Sequence, residues 1–438
     1  MKLNKNKILD DFYTVIDCEH KTAPTQEVGI PLIRTPNIGK GILILDNVKR
    51  VTDKIYDIWT KRAKPFEDDL IMAREAPVGN VAIIQKGEKV CLGQRTVLIR
   101  NKNVGLLPKY FNYLLNSEAM NAYLNILSNG ATVGHLNVSD IRKLALPEFP
   151  TVDIQEKIAA ILITYDDLIQ NNKKRIALLE NMTEEIYREW FVRFRFPGFQ
   201  KVKFEKGIPK EWDKKTFREI VSYYIGGGWG EESQTSIFNE GAYVIRGTDI
   251  PGLNSGVISR DVYRYHKPSN LESRKLKVND FIFEVSGGSK DQLLGRNLHI
   301  TENLHHYFEE NVMCASFCKQ IRFNLDLVSP YFMRYYLKLY YDCDLVGIYQ
   351  VQSTGISNYQ FESFLNYQTI VLPPKELREK FDQLVKPLIN EKDNLALANS
   401  KLLQSRNMLL PRLISGKLSV EDLDIQFPPS MLEEEEVA

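Results

Sequence analysis

No stretch of this sequence approaches the ~20 consecutive apolar residues of a membrane span. No early apolar run resembles a secretory leader, because Lys2, Lys5 and Lys7 are followed by mixed sequence. Both absences predict a soluble, cytoplasmic protein with no membrane partner. Cysteine is scarce, five in 438 residues, and an odd number in a large chain does not read as a disulfide framework. The formal net charge of +1 does not advertise nucleic-acid binding, nor does it exclude it, since charge can be segregated on one face. Catalytic signatures are missing as well. The glycine run Gly226 to Gly230 is neither G-x-G-x-x-G nor a phosphate loop ending in Lys-Ser/Thr, and it reads as a turn. There is no G-x-S-x-G elbow and no H-E-x-x-H. The Asp/Asn-Pro-Pro-aromatic motif of an amino-methyltransferase is absent, because the Pro-Pro pairs follow Leu372 and Phe427. Cys314 and Cys318 lie near His305 and His306, but C-x-x-x-C alone is a weak zinc signal. Both are expected as buried thiols on one face of an apparent strand, Val312 to Phe323, and Cys18-Glu-His20 reads as structural or as a contact loop rather than a metal site. No metal and no cofactor is expected on this chain.

What is present is a long helical stretch in the middle. From Thr151 to Phe196, apolar residues fall at Ile154, Ile158, Ile161, Tyr165 and Leu168, then after a polar gap at Ile176, Leu179, Met182, Ile186 and Trp190. That is a heptad-like seam on an otherwise polar helix, and so narrow a stripe needs a partner. The partner is expected from Lys375 to Gly416, with Leu377, Phe381, Leu384, Leu388, Leu395, Leu402, Leu409 and Leu413 as its stripe. A shift of about 223 residues lays Ile154 on Leu377, Ile158 on Phe381, Ile161 on Leu384, Leu179 on Leu402 and Trp190 on Leu413, as in a duplicated unit. Pro387 predicts a kink in the second copy. The residues expected to pack the helices or hold a partner are Ile158, Ile161, Leu179, Trp190, Phe191, Phe381, Leu402 and Leu413.

The flanking sequence reads as two globular units. In residues 1–150, β-type runs occur at Ile42 to Leu45, Val81 to Ile84 and Thr96 to Ile99, followed by a helical stretch from Lys109 to Leu127. Residues 197–212 form a basic connector, 213–374 the second unit, and 417–438 a tail whose Glu433 to Glu436 run reads as solvated. The second unit echoes the first. Gly29 to Arg34 answers Gly241 to Arg246, Asp69-Leu-Ile-Met answers Asp280-Phe-Ile-Phe, and Ala131 to Asn137 answers Ser353 to Asn358. The expected fold class is therefore α+β: two β-rich domains separated by two long α-helices in an antiparallel coiled coil, with a pseudo-two-fold internal repeat.

Each globular unit has loops mixing glycine with Arg, Lys, Asn and Ser. Such side chains can read base edges in the major groove, and exposed backbone suits phosphate. The candidate DNA contacts are Arg34, Arg74, Asn80, Thr132 and His135 in the first unit, and Arg246, Ser286, Lys290, Arg296 and Thr354 in the second. The bland alternatives are ordinary hairpin loops and, for Arg34 and Arg246, structural ion pairs.

Taken in order, Asp17-Cys-Glu-His-Lys-Thr-Ala-Pro24, Thr132-Val-Gly-His-Leu136, Leu146-Pro147, Asp153-Ile-Gln-Glu-Lys-Ile158, Arg188-Glu-Trp-Phe191, Gly207-Ile-Pro-Lys-Glu-Trp212 and Leu410-Pro-Arg-Leu-Ile-Ser-Gly416 resemble the specificity subunit of a type I restriction–modification system over nearly the whole chain. The resemblance implies two target-recognition domains that each read half of a split, asymmetric site in double-stranded DNA. It implies a helical spacer that docks two modification subunits, which bind S-adenosylmethionine and methylate adenine, and motor-nuclease restriction subunits that complete the complex. It implies no catalytic residue on this chain. The rival expectation is a two-headed coiled-coil scaffold without DNA sequence specificity.

Overall fold

The computed structural model describes residues 3–128, 134–258, 260–287, 292–353 and 355–432. The chain divides into two compact units, Met1–Asp167 with Leu403–Ala438, and Leu168–Leu402. Both mix helix and strand, so the fold is α+β.

The first unit is built on a four-stranded antiparallel sheet in the order Tyr13–Asp17, Thr96–Asn101, Leu70–Ala73, Val81–Ile83. Its central strand Leu-Ile-Met-Ala is buried throughout. Alternation explains this, because successive side chains point to opposite faces. Leu70, Met72, Val97 and Ile99 join one core with Phe111 and Leu114, whereas Ile71, Ala73 and Leu98 join another with Ile33 and Leu92. A smaller sheet runs Arg50–Val51, Ile30–Ile33, Cys91–Leu92, with the second pair parallel. Leu3–Ile8 pairs antiparallel with Ala145–Pro147, so the segment closes on its own start.

The second unit repeats this strand order. Its four-stranded antiparallel sheet runs Val221–Gly226, Cys318–Phe323, Phe281–Glu284, Asn297–His299. The three-stranded sheet runs Tyr263–His266, Glu240–Ile245, Val312–Cys314, again with the second pair parallel. Asp213–Thr216 pairs with Thr369–Leu372. An added hairpin, Gln350–Ser353 with Ile356–Tyr359, pairs with Ser286–Gly287. Each four-stranded sheet carries, at matching places, a buried aspartate on a forked arginine. Asp69 accepts from Arg100 Nε at 2.9 Å and Nη2 at 2.7 Å, and Asp280 accepts from Arg322 at 2.7 and 2.8 Å.

Three local expectations change. Ile42 to Leu45 makes only one isolated bridge, from Leu43 to Ile38, beyond Gly41, whose φ of 97° turns the backbone. The Lys109 to Leu127 stretch is two helices, Pro108–Asn116 and Glu118–Leu127, broken where Ser117 Oγ accepts the Met120 N–H and caps the second. Val312 to Phe323 is not one strand; it turns at Ala315 to Phe317, so Cys314 and Cys318 lie in different sheets.

The long helices are Val152–Tyr187, 36 residues, and Lys375–Ile414, 40 residues. The first stops short of Phe196. It passes into a π turn at Arg188–Val192, Phe194 takes φ 56°, and Phe196 folds back beside Trp212 at 5.6 Å between ring centroids. The second runs as one helix through Pro387. In the second unit the two helices run in opposite directions, with Asn172 Nδ2 donating to Asn399 Oδ1 at 2.9 Å and Lys392 Nζ donating to Glu180 at 2.8 Å. In the first unit Ile158, Ala159 and Leu162 share a core with Leu413 and Ile414, and Arg406 meets Asp166 at 2.5 Å.

The seam differs from the expected one. Leu168 and Met182 are 46% and 52% exposed, and Leu384 is 45% exposed. Of the expected stripe Ile176, Phe381 and Leu395 are buried, and the buried line also takes in Ile169, Asn172, Thr183 and Tyr187 on the first helix and Val385, Ile389, Lys392 and Asn399 on the second. The apparent polar gap is thus seam, filled by polar groups that find partners in it. Of the named packing residues, Ile158, Phe191, Phe381 and Leu413 are buried, and Ile161, Leu179, Trp190 and Leu402 are half-buried.

Candidate nucleic-acid interface

In the first unit a string of polar side chains runs along the end of the large sheet. Arg74, leaving the buried strand, donates from Nε to the Leu136 carbonyl at 2.9 Å and from Nη1 to Asp17 Oδ1 at 3.2 Å. Its Nη2 lies 2.9 Å from His135 Nε2. A guanidinium only donates, so that ring nitrogen accepts. His135 Nδ1–H is then the donor to Glu75 Oε1 at 3.1 Å. Glu75 also holds Arg95 Nη1 at 2.6 Å. At the other end His20 Nε2 meets Asp17 at 3.0 Å. The Asp17 to Pro24 segment and His135 therefore meet through Arg74, which is itself buried. Asn80 donates to the Ile38 carbonyl at 3.0 Å and helps shape the loop. Arg34 follows its strand, its N–H bonded to Asn37 Oδ1 at 3.2 Å, and its buried Nε has no hydrogen-bond partner among the described residues.

The second unit gathers Arg246, Ser286 and Arg296 around one concavity of about 540 Å³, together with Trp229, Glu284 and Phe317. Arg246 occupies the place that Arg34 has in the first unit. Ile33 accepts the Gly93 N–H at 2.8 Å, and Ile245 accepts the Ala315 N–H at 2.9 Å. Where Asn37 stands in the first unit, Asp249 stands in the second. It accepts Arg246 Nη2 at 2.7 Å, and this hydrogen bond raises the arginine above its ordinary pKa. Arg296 Nε donates to Glu284 at 2.7 Å, with the same effect. Ser286 Oγ donates to Asn358 Oδ1 at 3.1 Å. Arg74, Arg246 and Arg296 are thus bound to protein carboxylates rather than standing open. Thr132, Lys290 and Thr354 lie outside the described residues.

The glycine run was expected as a turn, but Gly226 ends the strand Val221–Gly226 and the next four residues continue as irregular chain. A Cβ on Gly227 would stand 2.2 Å from the Ala315 carbonyl oxygen, so only glycine lets that backbone pass behind the Phe317 loop. Burial pushes the Cys314 thiol up to about 12 and Cys318 in the same direction, as for packed, unreactive thiols. Among the described residues no group of three or more His, Cys, Asp or Glu side chains is placed to hold a metal ion. Among them, too, no helix is long and apolar enough to cross a membrane.

Residues 6–181 match the family described as the type I restriction modification DNA specificity domain. The chain is 26% identical to the type I restriction enzyme MjaIX specificity subunit of Methanocaldococcus jannaschii over 392 residues, 87% of this chain and 84% of that one. Over these residues the chain is similar to the type I specificity subunits. The EcoBI specificity subunit of Escherichia coli is 24% identical over 167 residues, 37% of this chain and 35% of its own. The crystal structure of the S subunit of a type I restriction-modification system from M. genitalium shares the fold, with a TM-score of 0.56 over 94% of this chain and 98% of that one at 15% identity.

Sequence reasoning missed the exposed ends of the polar strings. Arg95 sits in a loop whose neighbours carry no motif. Phe317 is an apolar residue between two cysteines that drew attention only as thiols. What could have singled out both is their common place, two residues beyond Gly93 and Ala315.

Proposed function

We propose that the chain is a non-catalytic DNA reader that recognises a split, asymmetric site and brings modification and restriction subunits to it. The observation that carries this reading is the pair of α+β bodies with one strand order and one forked Asp–Arg pair, each ending in a different polar face. Equal frames with unequal faces suit two half-sites of unequal sequence. Duplication of one ancestral head-and-helix unit accounts for the match. The two long helices, packed as an antiparallel coiled coil, then act as a spacer that fixes the half-site separation, as dimeric DNA readers do on sites about one turn (~34 Å) apart. The exposed apolar residues Leu178 and Met408 on the two helices suit docking of two modification subunits. Those subunits supply S-adenosylmethionine and the adenine chemistry, and the motor-nuclease subunits complete the complex, in the cytoplasm with the cellular DNA.

On this reading Arg74, Arg246 and Arg296 position the recognition loops, Asn80 shapes one of them, and Arg34 meets the sugar–phosphate backbone. Such phosphate contacts orient the reader without specifying bases. The test is a map of adenine methylation in cells that co-express the chain with its modification partner. A split asymmetric motif that vanishes when this chain is deleted is the expected result. A competent, assembled partner that methylates no split motif would sink the reading.

A further inference from the structure

The two heads share one frame closely enough to match them residue by residue, and the match isolates an exposed position at which they differ in chemistry. In the first unit the Arg74 N–H donates to the Arg95 carbonyl at 2.9 Å, and the Leu136 N–H donates to the Arg74 carbonyl at 2.9 Å. In the second the Val285 N–H donates to the Phe317 carbonyl at 2.9 Å, and the Tyr359 N–H donates to the Val285 carbonyl at 2.8 Å. These bonds place Arg95 on Phe317, Glu75 on Ser286 and His135 on Asn358. The neighbours keep their pairing through the exchange, since His135 bonds Glu75 at 3.1 Å as Asn358 bonds Ser286 at 3.1 Å. The expected alignment of Ala131 to Asn137 with Ser353 to Asn358 is thereby shifted, so that His135 falls on Asn358.

At this position each head presents a large side chain outward. The Arg95 side chain is 63% exposed, and Phe317 is 55% exposed. Arg95 holds φ 66°, a left-handed backbone that a non-glycine residue adopts at a cost and that the surrounding structure must impose. Its ion pair to Glu75 engages Nη1, and the fork keeps further donors for a planar pair of acceptors. Behind it Glu75 is fixed by His135, His135 by Arg74, and Arg74 by Asp17, so a long side chain is aimed before any ligand arrives. In the second unit Phe317 lines the same concavity as Trp229 and Arg246 and offers an apolar edge with no hydrogen-bonding group.

Resting on the DNA-reading function above, we propose that this one frame position selects a base in each half-site. Arg95 takes guanine in the half-site of the first head, and Phe317 takes the methyl group of thymine in that of the second. Arginine forks onto guanine O6 and N7 in the major groove, and an apolar side chain packs on the thymine methyl. His135 and Asn358 act as positioning residues behind them.

The experiment is adenine-methylation mapping with the full chain and its modification partner, comparing the wild type with Arg95→Ala, Arg95→Lys and Phe317→Ala. Each alanine variant is expected to lose roughly tenfold or more of its discrimination at one base pair. Arg95→Ala relaxes a G·C pair in one half-site, Phe317→Ala relaxes a T·A pair in the other, and each leaves the opposite half-site intact as an internal control of folding. Arg95→Lys keeps the charge without the fork, and is expected to methylate with a weakened guanine preference. Unchanged motifs in both alanine variants would overturn the proposal while leaving the DNA-reading function standing. So would relaxation of the same half-site by both, or loss of methylation on all sequences alike in both Arg95 variants while the complex still assembles. A wild-type complex without a split motif would remove the functional reading and this inference together.

Discussion

The carboxylates of Asp69 and Asp280 show how a single residue sets the frame of each head. Each is 1% exposed at its side chain and accepts both arms of an arginine that is itself partly exposed, Arg100 at 27% and Arg322 at 31%. Removing the acid leaves a forked cation without its acceptor between the two central strands. Asp280→Ala is expected to destabilise the second head by about 2 kcal/mol, less than a fully buried pair would cost because water reaches the arginine. Urea unfolding of the chain measures it, and an unchanged midpoint would contradict the assignment. Residue chemistry also fixes a pH response. His299 is enclosed, stacked on Phe281 with ring centroids 4.8 Å apart. Burial first, and then Arg334 and Lys392, hold its pKa well below the ordinary imidazole value. The unfolded chain takes a proton that the folded chain refuses. Stability is therefore whole above pH ~6.5 and falls as the pH drops toward the folded value, by up to about 1.4 kcal/mol per pH unit. His299→Leu should flatten that slope between pH 6.5 and 5 in urea titrations. At this scale the sequence was partly legible. The match of Asp69-Leu-Ile-Met with Asp280-Phe-Ile-Phe was visible, but the arginines that answer the acids come from another strand and follow no local rule.

Between the two long helices the informative pair is Asn172 with Asn399, both nearly buried, the second also donating to the Ile169 carbonyl at 3.3 Å. A buried amide pair costs stability and specifies register, because any slip leaves an amide unmatched in an apolar seam. Asn172→Leu alone is expected to cost about 1–2 kcal/mol through the orphaned partner. The double change to leucine should recover that loss, and a double-mutant cycle on thermal unfolding would expose the coupling. Trp190 contacts Phe381 at 6.0 Å between ring centroids and Phe191 at 6.1 Å. Trp190→Asp is expected to lower the thermal midpoint by placing a charge against this aromatic cluster. Helical periodicity made both elements readable, yet the seam was misdrawn. Asn172, Thr183 and Lys392 hold seam positions with polar side chains, so a count of apolar residues slides to exposed neighbours such as Leu168 and Met182. The end of the first helix was misread for a related reason, since Phe196 looks like one more apolar step but turns back to Trp212.

For the whole molecule, the proposed spacer makes a metric prediction. Seven residues added after Asn172 and seven before Asn399 keep the heptad phase and the Asn172–Asn399 pair, and lengthen each helix by about 10 Å, close to three base pairs. Methylation mapping should show the same two half-sites with a longer gap; an unchanged gap would reject the spacer. The common strand order of the two units was foreshadowed in the sequence by repeated short phrases. The sheet pairings could not, because they join segments far apart, as in the parallel contact of Ile30–Ile33 with Cys91–Leu92. The proposed recognition surface was the least legible part, since it is made by side chains that share a place only after both sheets have formed. The strands that close each head carry one more consequence. Leu3–Ile8 lies against Ala145–Pro147, and Asp213–Thr216 against Thr369–Leu372, so each head enters and leaves its frame at a single doorway. A genetic crossover at such a doorway would exchange an entire recognition body while disturbing only one short ladder of backbone bonds, and new target sequences would then arise by recombination of whole cassettes as readily as by point mutation.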